Sequence, residues 1–379
     1  MRPFALEVFF SRWEFEATHH LTASDVESMS VHALLSLASP QERTAFEHTP
    51  LSYTQPWGDP HLCQAIAQTY DTLTQEHILC FAGAQEGIYT AMRTLLTKDD
   101  HAIVFVPNYQ SAESLPLECC EVSGVALLEA QGWQPDMEAL ERAIRPNTKL
   151  ISMNFPNNPT GAIISHENLA KLIALCRKHG IYLFSDEVYR LLELDERKRI
   201  PQIADVYEKG ISLNVMSKAY GLPGLRIGWL ASRDTHALAA FERYKHYLSI
   251  CNSAPSEALA LIALNHRTQI LERNRALLAE NIARLDTFFA QYPTLFAWNH
   301  PDGSCVAYPK YTGKGDVEAL CQLLIQEYGV LLLPPSIYHS ELLPTPNDHF
   351  RIGFGRKGIH AGLDMFGRCL EEKWLPLQG

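Results

Sequence analysis

Short apolar runs alternate with helix-like stretches between residues 100 and 232, and this alternation limits the possible folds more than any other feature. Runs with the length and composition of strands occur at 102–106, 150–153, 181–185, 213–216 and 227–231. Between the second and third runs, Ser165 is placed to cap a helix and Gly180 to end it. Parallel strands need a long crossover, which is usually a helix. The segment therefore predicts an α/β fold with helices on both faces of a parallel sheet.

The C-terminal part of the chain has a different pattern, which predicts a second, smaller domain. Pro255 opens one long helical pattern that runs to about residue 291. A further helix is expected between Asp316 and Gly329, followed by an apolar run at 330–333. A chain of 379 residues also exceeds the usual size of one core, about 100 to 200 residues. We expect an N-terminal arm or part of the small domain at 1–50, a large domain at 51–285 and a small α+β domain at 286–379.

Charge and composition exclude several classes of protein. The formal net charge is −11 and there is no Lys/Arg-rich run, so no nucleic-acid partner is expected. No uncharged apolar stretch approaches the roughly 18 residues of a membrane span, and charges interrupt the first 16 positions, where a signal peptide would be apolar. The nine cysteines are scattered, without paired C-x-x-C spacing, which favours free thiols in a reducing compartment. We expect a cytoplasmic protein with no membrane association and no metal site.

The most informative string, at 217–229, combines a lysine, a glycine-rich turn and an arginine. Lys218 lies just past a predicted strand, and Arg226 follows eight residues later (226 − 218). A lysine amine becomes a good nucleophile where burial or a neighbouring cation lowers its pKa. Arg226 offers such a cation and could also bind a phosphate through its planar guanidinium. The string indicates Schiff-base chemistry beside an anion site, and the alternative is a surface lysine in a βα loop.

Two strings upstream contain candidate ligands for a heterocyclic ring. Asp186 follows the run at 181–185, at the strand end where ligands of parallel sheets collect. A carboxylate there could keep a ring nitrogen protonated, and Tyr189 could reach a ring oxygen. Asn158, in a turn at 157–161, could donate its amide to the same oxygen. The alternatives are a helix N-cap for Asp186 and an ordinary turn around Asn158.

Two further strings contain candidate anion sites. Gly83, Ala84 and Gln85 precede a helical pattern, whose free backbone N–H groups could hold a phosphate. A simple turn is the alternative there. Arg351, in a strand-like stretch at 350–354, could clamp a carboxylate with two parallel hydrogen bonds. Its alternative is a solvated or salt-bridged arginine.

Taken together and in order, these strings resemble the class I/II aminotransferases, a family of fold-type I enzymes that use pyridoxal 5′-phosphate (PLP). The resemblance covers nearly the whole chain and implies a large domain with a mostly parallel seven-stranded sheet between helices, plus a small α+β domain. It implies catalytic roles for Lys218, Asp186 and Tyr189, and substrate binding by Arg351 and Asn158. The residues implied to bind PLP are Tyr53, Gly83, Ala84, Gln85, Tyr109, Asn158, Asp186, Tyr189, Ser217, Lys218 and Arg226.

The resemblance also implies an activity and a partner. An amino group would pass between an amino acid and a 2-oxo acid through a Lys218 aldimine and pyridoxamine phosphate. Tyr53 resembles the tyrosine that the family sends across a dimer interface to the partner's phosphate, so a homodimer with shared active sites is expected.

Three positions depart from the family pattern. Val215 replaces a usual serine or threonine, the stretch around Ser24 replaces a Gly-x-Pro segment, and the stretch around Ser336 replaces a Pro-Gly loop. The chain also resembles, loosely, a branch that includes capreomycidine synthase-type enzymes. A PLP-dependent lyase or cyclase that uses the same residues is therefore one alternative. A non-catalytic PLP-fold module, such as the sensor half of a transcription regulator, is a distant one, because no basic recognition helix precedes Tyr53.

Overall fold

A computed structural model describes residues 2–377 as one large sheet, three two-stranded pairs and the helices packed around them. The strands are β1 (His19–His20), β2 (Ile78–Phe81), β3 (His101–Val106), β4 (Glu121–Leu128), β5 (Gln134–Pro135), β6 (Thr148–Asn154), β7 (Tyr182–Asp186), β8 (Gly210–Val215), β9 (Gly228–Ala231), β10 (Phe296–Ala297), β11 (Val306–Ala307), β12 (Lys310–Tyr311), β13 (Val330–Leu331) and β14 (Ile352–Gly353). The α-helices are α1 (Ala5–Trp13), α2 (Val31–Leu37), α3 (Pro40–Glu47), α4 (Pro60–Ala67), α5 (Ala84–Leu95), α6 (Ser111–Leu117), α7 (Met137–Ala143), α8 (His166–His179), α9 (Ile203–Val206), α10 (Thr235–Lys245), α11 (Ala254–Asn265), α12 (Arg267–Gln291), α13 (Val317–Tyr328) and α14 (Ile359–Cys369).

The large sheet has the strand order β2-β9-β8-β7-β6-β3-β4-β5. Strands β8, β7, β6, β3 and β4 pair in parallel, while β9 and β5 run antiparallel to their neighbours. Seven strands are four to eight residues long, and the two-residue β5 extends one edge. The predicted α/β class with a mostly parallel sheet is confirmed, and the five predicted strands coincide with β3, β6, β7, β8 and β9.

Helices cover both faces of this sheet, because successive strand residues point to opposite sides. In β6, Leu150 belongs to one buried cluster, together with Ile88 of α5, while Ile151 belongs to another, together with Leu169 and Leu172 of α8. The signals that predicted α8 are those the structure uses. The Ser165 hydroxyl accepts the N–H of Asn168, and Gly180 ends the helix in the left-handed region at φ 69°.

Two expectations about connections are wrong. The run at 227–231 forms β9, which pairs antiparallel with β8, because the connection at 216–227 folds as a loop with one short 3₁₀ turn, Pro223–Leu225, instead of the helix that usually carries a parallel crossover. The long pattern from Pro255 to residue 291 is two helices, α11 and α12, which break at His266. Glu42 of α3 accepts hydrogen bonds from the side chains of Asn265 and His266, both at 3.0 Å. This contact with α3 stabilises the break between α11 and α12. The sequence around residue 266 contains no proline or glycine that would predict the break.

The N-terminal segment joins the C-terminal part of the chain. β1 pairs with β13, while β10 pairs with β12 and β11 with β14. The helix expected between Asp316 and Gly329 is α13, with the Asp316 side chain at its start and Gly329 in the left-handed region at its end. Residues 2–377 include no helix that is both long and apolar enough to cross a membrane, and no metal-binding group of His, Cys, Asp and Glu side chains. All nine cysteines are free thiols.

Candidate active site

A cavity of about 1010 Å³ opens at the carboxyl ends of the central parallel strands. Asn154 at the end of β6, Asp186 at the end of β7 and Val215 at the end of β8 all line it. Ligands of open α/β sheets bind at this edge, where successive loops converge. The residues proposed from the sequence that line the cavity are Ala84, Gln85, Tyr109, Asn158, Asp186, Tyr189, Ser217, Lys218 and Arg226.

Lys218 lies two residues past Met216, just beyond the end of β8, and its amine faces the cavity. Its Nζ donates to Oγ of Ser24 at 2.8 Å and lies 5.8 Å from the centre of the Tyr189 ring. Burial lowers the pKa of Lys218 below its ordinary value, although the negative charge of Asp25 opposes this shift. The cation that also lowers this pKa is Arg351, which replaces Arg226 in the role suggested by the sequence. A fraction of neutral, nucleophilic amine is therefore accessible here.

Asp186 places a carboxylate at the floor of the cavity. Its side chain is buried, with 8% of the residue exposed, and Oδ1 accepts the backbone N–H of Val188 at 3.2 Å. Burial raises the pKa of Asp186 to about 6, while this hydrogen bond and the charge of Lys218 act in the opposite direction. Ionisation of a buried carboxylate costs free energy, and a cationic ring nitrogen beside it would offset that cost.

Asn158 lines the cavity and bonds Arg351, which is not itself among the described residues that line it. Arg351 is fully buried, and it donates from Nη1 to Oδ1 of Asn158 at 3.1 Å and from Nη2 to the carbonyl of Thr22 at 2.6 Å. The Tyr338 hydroxyl also donates to Oδ1 of Asn158, at 3.2 Å. Two donors on Oδ1 orient the Asn158 amide so that Nδ2 is available to donate to another acceptor. Among the described residues, Nε of Arg351 is buried without a hydrogen-bond partner, as expected for a guanidinium that awaits an anion.

Gly83, Ser217 and Arg226 surround the start of α5. Gly83 has φ 92°, and a Cβ atom there would lie 2.4 Å from Nη2 of Arg226, so a side chain would fill this space. Nη1 of Arg226 donates to Oγ of Ser217 at 3.4 Å. Gln85, in the first turn of α5, has a buried Oε1 atom without a partner in the described part of the chain. Free helix N–H groups, a hydroxyl and a guanidinium together form a cradle suited to a phosphate. Arg226 reaches the cradle because it lies just before antiparallel β9, whose first residue pairs with the last residue of β8 at the cavity edge of the sheet.

Two aromatic residues proposed from the sequence have different positions. Tyr109 lines the cavity, its ring packs 5.2 Å from that of Phe4, and burial raises its pKa. Tyr53 is 88% exposed and is not among the described residues that line this cavity. The chain therefore brings together all the residues proposed from the sequence except Tyr53, although Gly83 and Arg351 contact lining residues and are not among the described residues that line the cavity.

Three residues that contact this group carried no role in the sequence reasoning. They are Ser24, bonded to Lys218, and Tyr338 and Thr22, bonded to Asn158 and Arg351. Ser24 and Tyr338 lie in two of the segments that depart from the family pattern, so the departures were a usable signal of site residues. Ser336, by contrast, hydrogen-bonds Glu318 at 2.8 Å.

The cavity fits PLP on observations of the chain itself. A buried carboxylate with a raised pKa, an amine with a lowered pKa and an amide directed by two donors surround the same space. The cradle at Gly83 lies on the same cavity and offers the donors that a phosphate ester requires. The residues present thus complement a ring nitrogen, an aldehyde, a ring oxygen and a phosphate.

Comparison with known proteins agrees with this geometry. The chain is 27% identical over 310 residues to capreomycidine synthase from Streptomyces vinaceus, and the aligned region covers 81% of this chain and 77% of that protein. A PLP-dependent aminotransferase from Streptococcus suis has 32% identity and a TM-score of 0.91, with 98% of each chain covered. The PLP-dependent cyclase OrfR shares the fold, with a TM-score of 0.88, 24% identity and 98% of each chain covered.

The fold-type I architecture and the cofactor expected from the sequence are both supported. The sequence model for aminotransferase class I and II matches residues 21–358, which include every proposed site residue. Because this match spans most of the chain, the protein belongs to the class I and II aminotransferases, and its cofactor is pyridoxal 5′-phosphate.

Proposed function

We propose that this protein is an aminotransferase that moves an amino group between an amino acid and a 2-oxo acid. The observation that carries the proposal is the position of Arg351. Its buried guanidinium, with an unpartnered Nε, bonds Asn158 in the group of residues that surrounds Lys218 and Asp186. A carboxylate bound there would hold an amino acid next to the amine of Lys218.

Each polar residue has a distinct task in this proposal. Bound PLP supplies a ring that accepts electrons from the α-carbon of an amino acid. Asp186 holds its negative charge beside the ring nitrogen, where it keeps that nitrogen protonated. Asn158 donates from Nδ2, and Tyr189 from its hydroxyl, to the ring oxygen. The cradle formed by Gly83, Ala84, Gln85, Ser217 and Arg226 binds the phosphate, and Tyr109 packs on the ring.

Lys218 is the base in this proposal. Its lowered pKa would make neutral Nζ available to accept the proton from the substrate α-carbon and to hold that proton for return. Nζ lies within 5.8 Å of the Tyr189 ring, so the base and the ring-oxygen ligand share one side of the cavity.

A homodimer in the cytoplasm completes the proposal. Tyr53 and Leu51 are each 88% exposed, and large apolar side chains at the surface favour an interface. Oγ1 of Thr54 donates to the carbonyl of Asn252 at 3.0 Å, which anchors the segment that presents Tyr53. We place Tyr53 at the phosphate of the partner subunit.

The Arg351→Lys variant should lose about 10- to 100-fold in kcat/KM for amino acids. A lysine keeps the charge but loses the planar fork, and a hydrogen bond to a charged group contributes about 1.5 to 3 kcal/mol. Steady-state kinetics with an amino acid and its decarboxylated amine test this, since the amine has no carboxylate to lose. Arg177→Lys, at an exposed pair with Glu208, is the matched control and should change nothing. Equal losses for both substrates would contradict the assignment.

A single-turnover experiment separates the proposed reaction from its alternatives. Purified holoenzyme mixed with one amino acid and no 2-oxo acid should convert about one equivalent of cofactor to pyridoxamine phosphate, followed by absorbance and mass. Continuous product formation without this conversion would instead indicate a lyase or cyclase, which the similarity to capreomycidine synthase makes the second candidate. Binding without turnover of any amine would indicate a non-catalytic module.

A further inference from the structure

The segment at 21–27 passes beside Lys218 and is held by backbone contacts to the C-terminal part of the chain. The N–H of Gly353 donates to the carbonyl of Leu21 at 2.7 Å, and the N–H of Glu27 donates to that of Gly355 at 2.8 Å. Cβ atoms added to Gly353 and Gly355 would lie 2.2 and 2.1 Å from backbone oxygens on either side of Ser24. Only glycine permits this approach, so the backbone around Ser24 has little freedom.

Side chains hold the same segment on both sides of Ser24. The carbonyl of Thr22 accepts from Arg351, and the carboxylate of Asp25 accepts three hydrogen bonds from Arg356 at 2.7 to 3.0 Å. Contacts of Thr22 on one side and Asp25 on the other therefore fix the backbone at Ser24, from which its hydroxyl reaches Lys218.

The Ser24 hydroxyl bonds Lys218 and lies near Tyr189. Its Oγ accepts from Nζ of Lys218 at 2.8 Å. Burial raises the pKa of Tyr189, and a hydrogen bond from Ser24 acts in the opposite direction, as expected when the hydroxyl donates to the tyrosine oxygen. A hydroxyl has one donor and two lone pairs, so it can accept from Lys218 while donating to Tyr189.

We infer that Ser24 is a positioning residue: its hydroxyl holds the free Lys218 amine in place. The inference deepens the proposed function, in which Lys218 is the base, but the contact itself involves only residues of this chain. An amine that donates one hydrogen to Ser24 has only two positions left for its lone pair. Without the hydroxyl, Nζ would sample several orientations, and fewer of them would reach the substrate α-carbon.

The inference also concerns the protonation of Lys218. Ser24 is a neutral acceptor, and an acceptor stabilises the protonated amine more than the neutral one. Removal of the hydroxyl should therefore lower the pKa of Lys218 further. The charged and titratable groups that face Lys218 are Asp25, Asp186, Tyr189, Cys305 and Arg351, and all remain in the variant.

The test is the pH dependence with which Lys218 reacts with an amine-directed acylating reagent in the apo-protein, followed by peptide mass. Ser24→Ala should shift the profile of Lys218 down by about one pH unit, while Ser24→Thr, which keeps a hydroxyl, should restore it. Ser36→Ala, an exposed serine on α2, is the matched control and should match the unmodified protein. Circular dichroism checks that each variant is folded.

A second measurement follows the holoenzyme. With α-deuterated amino acid, Ser24→Ala should lower kcat about 10-fold, raise the isotope effect and change KM little, because proton transfer alone is slowed. An unchanged acylation profile in folded Ser24→Ala, or a Thr variant that behaves like the Ala variant, would overturn the inference. Acylation of the apo-protein does not depend on the reaction catalysed, so it separates a failure here from a failure of the proposed function.

Discussion

Replacement of Lys218 by alanine is expected to lower turnover by at least about 10³-fold, the largest loss at any single position. The variant loses both the amine that bonds the cofactor and the base that moves the proton. Burial also lowers the pKa of Lys245, but that amine donates to the carbonyl of Pro56 and is not among the described residues that line the cavity, so it is not placed to take over the role. Steady-state kinetics and the single-turnover experiment measure the loss.

Lys357 is a matched control for this prediction. It lines the same cavity but is exposed, and its backbone N–H bonds the carboxylate of Glu27. Lys357→Ala should keep turnover within about twofold, as usual for a substitution away from the reacting atoms. Reduction of the holoenzyme with borohydride should leave a pyridoxyl mass on the peptide that contains Lys218. A label on another peptide, or a Lys218→Ala variant that retains activity, would contradict the assignment.

Asp186→Asn should lower kcat about 10²- to 10³-fold, which matches the loss of one electrostatic contact in a buried site. The amide has nearly the shape of the carboxylate but no charge with which to hold a ring nitrogen protonated. The expected effect lies in kcat rather than in KM for the amino acid, because Asp186 does not contact the substrate in the proposed arrangement. A variant with normal kcat would show that Asp186 is not the partner of the ring nitrogen.

The same substitution should stabilise the apo-protein at neutral pH. The pKa of Asp186 is about 6 when folded and 3.8 in the reference state, so the folded protein binds this proton more tightly. At low pH the protonated Asp186 side chain does not lower the free energy of unfolding. As the pH rises from about 3.8 through 6, the free energy of unfolding falls by about 3 kcal/mol because of this group. Asparagine has no charge to bury. Thermal unfolding should show a more stable variant at pH 7.5 and nearly equal stability at pH 4.

Asp364→Asn, at an exposed position on α14, is the control and should change neither stability nor kcat. A less stable Asp186→Asn variant at pH 7.5 would mean that the ionised carboxylate is favoured in the apo-protein. Together the two measurements separate a residue retained for chemistry from one retained for folding, because activity and stability are expected to move in opposite directions.

Local pattern accounts for the elements that carry the site. The run before Asp186 ends a strand where predicted, and Ser165 and Gly180 bound α8 as predicted. These features depend on neighbouring residues: a capping hydroxyl, a glycine in the left-handed region and a run of buried apolar side chains. The order of Asn158, Asp186 and Lys218 then placed three side chains at the same edge, since each follows a parallel strand.

Contacts between distant segments could not be predicted in this way. No residue near 266 predicts the break between α11 and α12, because the break depends on contacts with Glu42 of α3. The antiparallel direction of β9 likewise depends on its neighbours β8 and β2. Ser24 lies 194 residues from Lys218, and Tyr338 lies 180 residues from Asn158.

The sequence by itself determined the α/β class and the family, and it predicted the lysine, the aspartate and the arginines of the proposed site. Each of these follows from spacing within a short string, or from the order of such strings. Only the tertiary structure decided that Arg351, rather than Arg226, is the cation that lowers the pKa of Lys218, and that Ser24 holds its amine. Those facts arise where the C-terminal part of the chain holds the segment at 21–27 beside the loop that follows β8, and packing between remote segments leaves no periodicity in the sequence.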